Sequence, residues 1–133
     1  MKKLESKTQT VNASAEEVYN FLNDFNNLEE LMPEKVSNWS STKDTCKFTI
    51  QGMATLNMKQ GKNEEHTLVQ MVATGNNPFY YDLNNYIKAT GDKSCDVNII
   101  LNADMNPMLA MMAKGPLENF INILVKELAK IYE

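Results

Sequence analysis

Apolar positions along this chain switch between a period near 3.6 and a period of 2, and each switch marks an element boundary. Over residues 3–11 the side chains alternate as in a strand. Leu4, Ser6, Thr8 and Thr10 fall on one side, and Lys3, Glu5, Lys7 and Gln9 on the other. Asn12-Ala13 ends this segment. Ser14-Ala15-Glu16-Glu17 then reads as a capping box, with Ser14 accepting from the amide of Glu17. Val18, Phe21, Leu22, Phe25, Leu28 and Leu31 recur at spacings of three and four, an apolar helical stripe over 15–31. The Asn23-Asp24 and Asn26-Asn27 pairs divide it into two short helices, and Pro33 closes the second.

From Lys35 to Asp104 the period is 2. Phe48 and Ile50 oppose Lys47, Thr49 and Gln51, and Ala54, Leu56 and Met58 oppose Thr55, Asn57 and Lys59. Val69, Met71 and Ala73 form a third set, Tyr81, Leu83 and Ile87 a fourth, and Val97, Ile99 and Leu101 a fifth. Turn signals separate them at Thr42-Lys43-Asp44, Gln60-Gly61-Lys62-Asn63, Gly75-Asn76-Asn77-Pro78 and Gly91-Asp92-Lys93. Short connections between alternating segments predict consecutive antiparallel hairpins with one wet and one covered face. With a weaker stretch at 35–41, the reading is six strands here and seven in all.

The chain's last third supplies the cover. Asn106-Pro107 is a helix start, with an N-cap residue and proline at the first helical position. Leu117, Phe120, Ile121, Leu124, Val125, Leu128 and Ile131 carry a helical stripe to the end. A helix from Leu117 onward would span about 25 Å, matching the diagonal of a small sheet. At Lys114-Gly115-Pro116 the missing proline amide predicts a break, with 107–113 as a hinged lid whose Met108, Met111 and Met112 cap one end of the sheet–helix space. The expected fold class is α+β: a seven-stranded curved antiparallel sheet around a long C-terminal helix, with two short helices after the first strand.

That order of elements resembles the helix-grip fold of the START-like (SRPBCC) superfamily, in its small bacterial form. The resemblance is carried by the Ser14-Ala15-Glu16-Glu17-Val18-Tyr19-Asn20-Phe21-Leu22 opening, the Asn77-Pro78-Phe79 turn into a long strand, and Asn106-Pro107-Met108-Leu109 with Gly115-Pro116-Leu117 beyond it. It covers essentially the whole chain. It implies a deep apolar cavity between sheet and last helix, of the kind used for lipids, sterols, quinones or polyketides, and no shared catalytic set.

Composition narrows the partners. At 133 residues, with 43% hydrophobic and 23% charged positions, the chain is expected to be one domain with its own core. The net charge is −4 and all 13 basic residues are lysine, so nucleic acid is not an expected partner and guanidinium chemistry is absent. No apolar run exceeds Met108 to Ala113, too short for a membrane span. Met1-Lys2-Lys3 is followed by Leu4-Glu5-Ser6-Lys7 rather than an apolar export segment, so a cytoplasmic chain is expected, with Cys46 and Cys95 buried and reduced.

Candidate chemistry is sparse. His66 is the only histidine and follows Asn63-Glu64-Glu65 at a turn, which reads as a solvated strand end rather than a general base. Cys46, Cys95 and His66 lack metal-ligand spacing, so no metal or other cofactor is expected. Glu64-Glu65, Glu16-Glu17 and Glu29-Glu30 read as exposed charges, and by alternation Asp82 points to solvent. The unusual feature is an inner face of Phe48, Ile50, Leu56, Met58 and Met71, continued by Tyr81, Leu83, Ile87, Ile99 and Leu101. Gln70, Asn85 and Tyr81 are its candidate polar groups. Nine methionines add adaptable apolar surface. The expected ligand-binding set is therefore these inner-face residues with Asn85, Met108, Met112, Phe120 and Leu124, holding a small hydrophobic molecule such as a lipid, quinone or polyketide. Two alternatives stay open: a cyclase- or isomerase-type enzyme using the same cavity, and a protein-interaction module of the chaperone-activator kind. A solid core without a cavity is the plainer reading of the same stripe.

Overall fold

Ser6 bridges a gap that divides the first strand into two. In the computed structural model, which describes residues Met1–Glu133, β1 spans Lys2–Glu5 and β2 spans Gln9–Val11. Between them the Ser6 amide donates to the Ile99 carbonyl at 2.8 Å, and the Ser6 hydroxyl oxygen accepts from the Ile99 amide at 2.8 Å. The Lys7 amide turns away to the side chain of Asn122 at 2.8 Å. This break shifts the alternation expected over 3–11. Leu4 and Ser6 share the buried side, but beyond the break Val11 rather than Thr10 is buried.

Six further strands follow: β3 (Val36–Ser41), β4 (Thr45–Ile50), β5 (Ala54–Gln60), β6 (Leu68–Ala73), β7 (Tyr80–Gly91) and β8 (Ser94–Asp104). With the divided first strand they make one eight-stranded sheet in the order β1-β8-β7-β6-β5-β4-β3, and β2 also pairs with β8. Every pairing is antiparallel. The helices are α1 (Ala15–Leu22), a 3-10 helix (Phe25–Leu31) and α2 (Pro107–Ile131). Their caps are the ones the sequence implies: Ser14 accepts from the Glu17 amide at 3.1 Å, and Asn106 accepts from the Leu109 amide at 2.8 Å.

The sheet curls around α2. That helix touches β1, β2 and β8 near one edge, while its Phe120 stacks on Phe48 of β4 near the other. In a flat sheet β1 and β4 would lie about 24 Å apart, far wider than a helix about 10 Å across. Curvature alone brings both to one helix. The core is the space it encloses, where Leu4, Val11, Val97, Ile121 and Val125 are among the buried residues.

The helix α2 is unbroken, against the hinge expected at Gly115-Pro116. Proline removes the amide that would pair with the Met112 carbonyl, but Met112 is 70% exposed, so water can satisfy that carbonyl. Met108 and Met111 are 74% and 83% exposed, so neither they nor Met112 caps the interior. The expected lid is a solvated first turn of a continuous helix. No helix is long and apolar enough to cross a membrane.

Candidate functional site

Three spaces lie in a row between sheet and helix. An open cleft of about 600 Å3 runs between the loop at Pro33-Glu34-Lys35, the end of β4 at Ile50-Gln51, and one face of α2. Behind it lie two closed apolar voids of about 10 Å3 each. That is the threshold for holding a single water. The outer void lies among Phe48, Leu56, Phe79, Tyr81, Leu101 and Leu117. The inner void lies among residues of the 3-10 helix, Met71, Asn85, Ile99 and Leu124.

Single side chains separate these spaces. Phe120 is the one residue common to the cleft and the outer void. Met58 and Leu83 are common to the two voids. Phe120 is 3% exposed and ends an aromatic ladder. Trp39 stacks on Phe48 with centroids 5.5 Å apart, and Phe48 stacks on Phe120 at 5.6 Å. Offset stacking of this kind holds a ring in place with about 0.5–1.5 kcal/mol beyond its buried area.

Most of the inner-face residues expected from alternation line these spaces. Phe48, Leu56, Tyr81 and Leu101 face the outer void, Met71, Asn85, Ile99 and Leu124 the inner one, and Met58 and Leu83 both. Ile50 faces the cleft. Ile87 is buried but faces neither void. Met108 and Met112 lie on the exposed turn of α2, away from all three. Gln70, considered as an inward polar group, is turned outward. Its Nε2 donates to Asn84 Oδ1 at 3.0 Å and its Oε1 accepts from the Lys62 amide at 2.9 Å. Val69 and Met71 on either side occupy the inner face, so the pleat sends Gln70 to the other. Asp82 points outward as read, accepting from Asn84 and from Asn102 at 2.9 Å.

Sequence reasoning missed two walls. Leu28, Leu31 and Met32 close the inner void from the 3-10 side. Their apolar spacing was legible as a stripe, but nothing in it says what the stripe covers. The cleft was missed altogether, because the Pro33 loop and the end of β4 meet the Asn119 and Lys126 face of α2 only in the folded chain.

Among the ionisable groups of the apolar interior are Cys46 and Tyr81, and burial favours the neutral form of each. Desolvation pushes the Cys46 thiol up to about 12. Burial, with Cys46 nearby, also raises the Tyr81 phenol above its ordinary value. Tyr81 donates its hydroxyl to the Asn57 carbonyl at 2.9 Å, so the phenol is committed to the sheet. His66 stands at a turn with its side chain 41% exposed, 3.8 Å from Glu65 and edge-on to Tyr19, away from these spaces.

No protein-family model and no curated protein sequence matches this chain. Solved structures match it in fold. A START superfamily protein from Mycobacterium smegmatis superposes with a TM-score of 0.71 over 98% of this chain and 96% of its own, at 18% identity. Norcoclaurine synthase from Thalictrum flavum, in complex with dopamine and hydroxybenzaldehyde, gives a TM-score of 0.69 over 98% of this chain and 85% of its own, at 16% identity. The di-domain ARO/CYC BexL from the BE-7585A biosynthetic pathway gives 0.70 over 98% of this chain and 46% of its own, at 14% identity. The likeness is one of architecture: the chain has the START-like (SRPBCC) helix-grip fold.

Proposed function

We propose that this protein binds a small hydrophobic molecule between its sheet and α2, without catalysing a reaction on it. The observation that carries this reading is the row of spaces itself. One ring, Phe120, divides an open cleft from an apolar void, and two flexible side chains divide that void from a second. Rotation of Phe120, Met58 and Leu83 would join all three into one chamber, and unbranched methionine rearranges at little cost. The side chains that would touch the ligand are Phe48, Leu56, Met58, Met71, Leu83 and Ile99, with Asn85, Tyr81, Leu101, Phe120 and Leu124 completing the walls.

Burial of apolar surface would drive binding, at about 25 cal/mol per Å2 removed from water. The ligand-free chamber is filled by the protein's own side chains, so part of that gain offsets their displacement. The fold is shared with a START superfamily protein and with a synthase solved in complex with dopamine and hydroxybenzaldehyde, both small aromatic molecules. Native mass spectrometry of protein purified from its own host tests the reading. A co-purifying apolar molecule at one per chain is the expected result. Bare protein mass, together with no saturable binding of any apolar probe, would overturn it.

A further inference from the structure

Asn85 is the one polar residue lining the inner void. It sits in the middle of β7, 3% exposed, on the same face as Leu83 and Ile87. Its Nδ2 donates to the Val69 carbonyl at 3.0 Å. A carbonyl only accepts, so the amide nitrogen must face Val69, and this fixes the carboxamide the other way round from its flipped form. The oxygen, Oδ1, is then left free of that contact. It accepts no side-chain or backbone hydrogen bond within the protein. Yet no buried side-chain nitrogen or oxygen is both sealed from solvent-sized space and unpartnered. Oδ1 therefore keeps open surface, and the inner void is the space that Asn85 lines.

A free amide oxygen in an apolar chamber is destabilising unless something donates to it. We propose that Asn85 Oδ1 is a specificity element, selecting ligands whose buried end carries a hydrogen-bond donor, such as a phenol, alcohol or amide N–H. This rests on the binding role proposed above. A ligand with a hydrocarbon end would leave Oδ1 unpaired or strip any water from it, and sites built around a buried polar group discriminate strongly against such analogues. The approach is deep: the donor would pass Phe120, then Met58 and Leu83, and stop at Asn85, so the ligand would be apolar along its length and polar at its leading end.

Calorimetric titration of 4-ethylphenol and ethylbenzene into the wild type and Asn85→Leu tests this, because the pair differs by one hydroxyl and leucine removes the acceptor at similar volume. The ratio of phenol to hydrocarbon affinity is expected to be at least tenfold higher in the wild type than in the variant. The Asn85 13Cγ signal should also shift with 4-ethylphenol and stay still with ethylbenzene. Asn85→Ala serves the same comparison if the leucine variant does not fold. Equal ratios in wild type and variant, with both ligands bound, would overturn the role of Asn85 and leave the binding reading intact; that is also the outcome if Oδ1 holds only a structural water. Binding of neither ligand to the wild type would overturn the binding reading and this inference with it.

Discussion

The Phe120 ring stacks on Phe48 with centroids 5.6 Å apart and planes inclined by 23°, and it is the only side chain shared by the open cleft and the closed outer void. One aromatic contact between α2 and β4 thus divides solvent from the apolar interior.

Replacing that ring opens the wall. Phe120→Ala is expected to cost about 3–5 kcal/mol of stability, the usual range for a buried phenylalanine. It should also raise the association rate of an apolar probe such as N-phenyl-1-naphthylamine, read by stopped-flow fluorescence. An unchanged rate in a folded variant would show that molecules reach the interior elsewhere.

Leu83 divides the two voids with Met58, and shortening it should merge them. Leu83→Ala is expected to lose about 2–5 kcal/mol and to bind benzene or xenon more tightly than the wild type does. Ile87→Val is the control, since Ile87 faces neither void. It should cost about 0.5–1.5 kcal/mol and leave benzene and xenon binding as in the wild type.

How much of this was legible in the sequence depends on which residues are asked. Phe48, Leu56, Met71, Leu83 and Ile99 declared their inward direction through a period of two, because a pleated strand leaves no choice. Asn85 is legible for the same reason, and the position of Gln70 between Val69 and Met71 likewise encodes its outward direction. Pro116 misled, because the penalty of a missing amide depends on whether the orphaned carbonyl is dry, and exposure of Met112 is a tertiary fact. The break at Ser6 is of the same kind: its hydroxyl oxygen replaces a ladder carbonyl as acceptor only because the Ile99 amide lies opposite. The cleft depends on where the Pro33 loop and the end of β4 meet α2, which no local pattern encodes.

The exposed methionines give a sharp contrast. Met111→Gln and Met112→Gln should each change stability by less than about 0.5 kcal/mol, as surface substitutions do. Probe affinity should not change either. A large loss of affinity would restore the first turn of α2 to the binding site.

Alkaline pH should weaken the fold through Cys46. Its folded-state value is raised from 9.0 to about 12, so the neutral thiol's stabilising contribution is complete below pH 9 and is lost as pH rises toward 12. Tyr81, raised by the same burial, acts in the same direction above its ordinary value of 10.0. Denaturant midpoints measured between pH 8 and pH 11 should fall less steeply in Cys46→Ala than in the wild type, the Cys46 share being at most about 1.4 kcal/mol per pH unit. Parallel decline in the two proteins would remove Cys46 from the account.

The methionines also supply the most direct test of interior binding, because they report from both places. Met58 and Met71 line the voids, whereas Met108, Met111 and Met112 stand in solvent. With 13C-methyl-labelled methionine, titration of N-phenyl-1-naphthylamine should move the Met58 and Met71 signals saturably and leave the other three in place. Movement confined to Met108, Met111 and Met112, or no movement at all, would contradict a ligand chamber between sheet and helix.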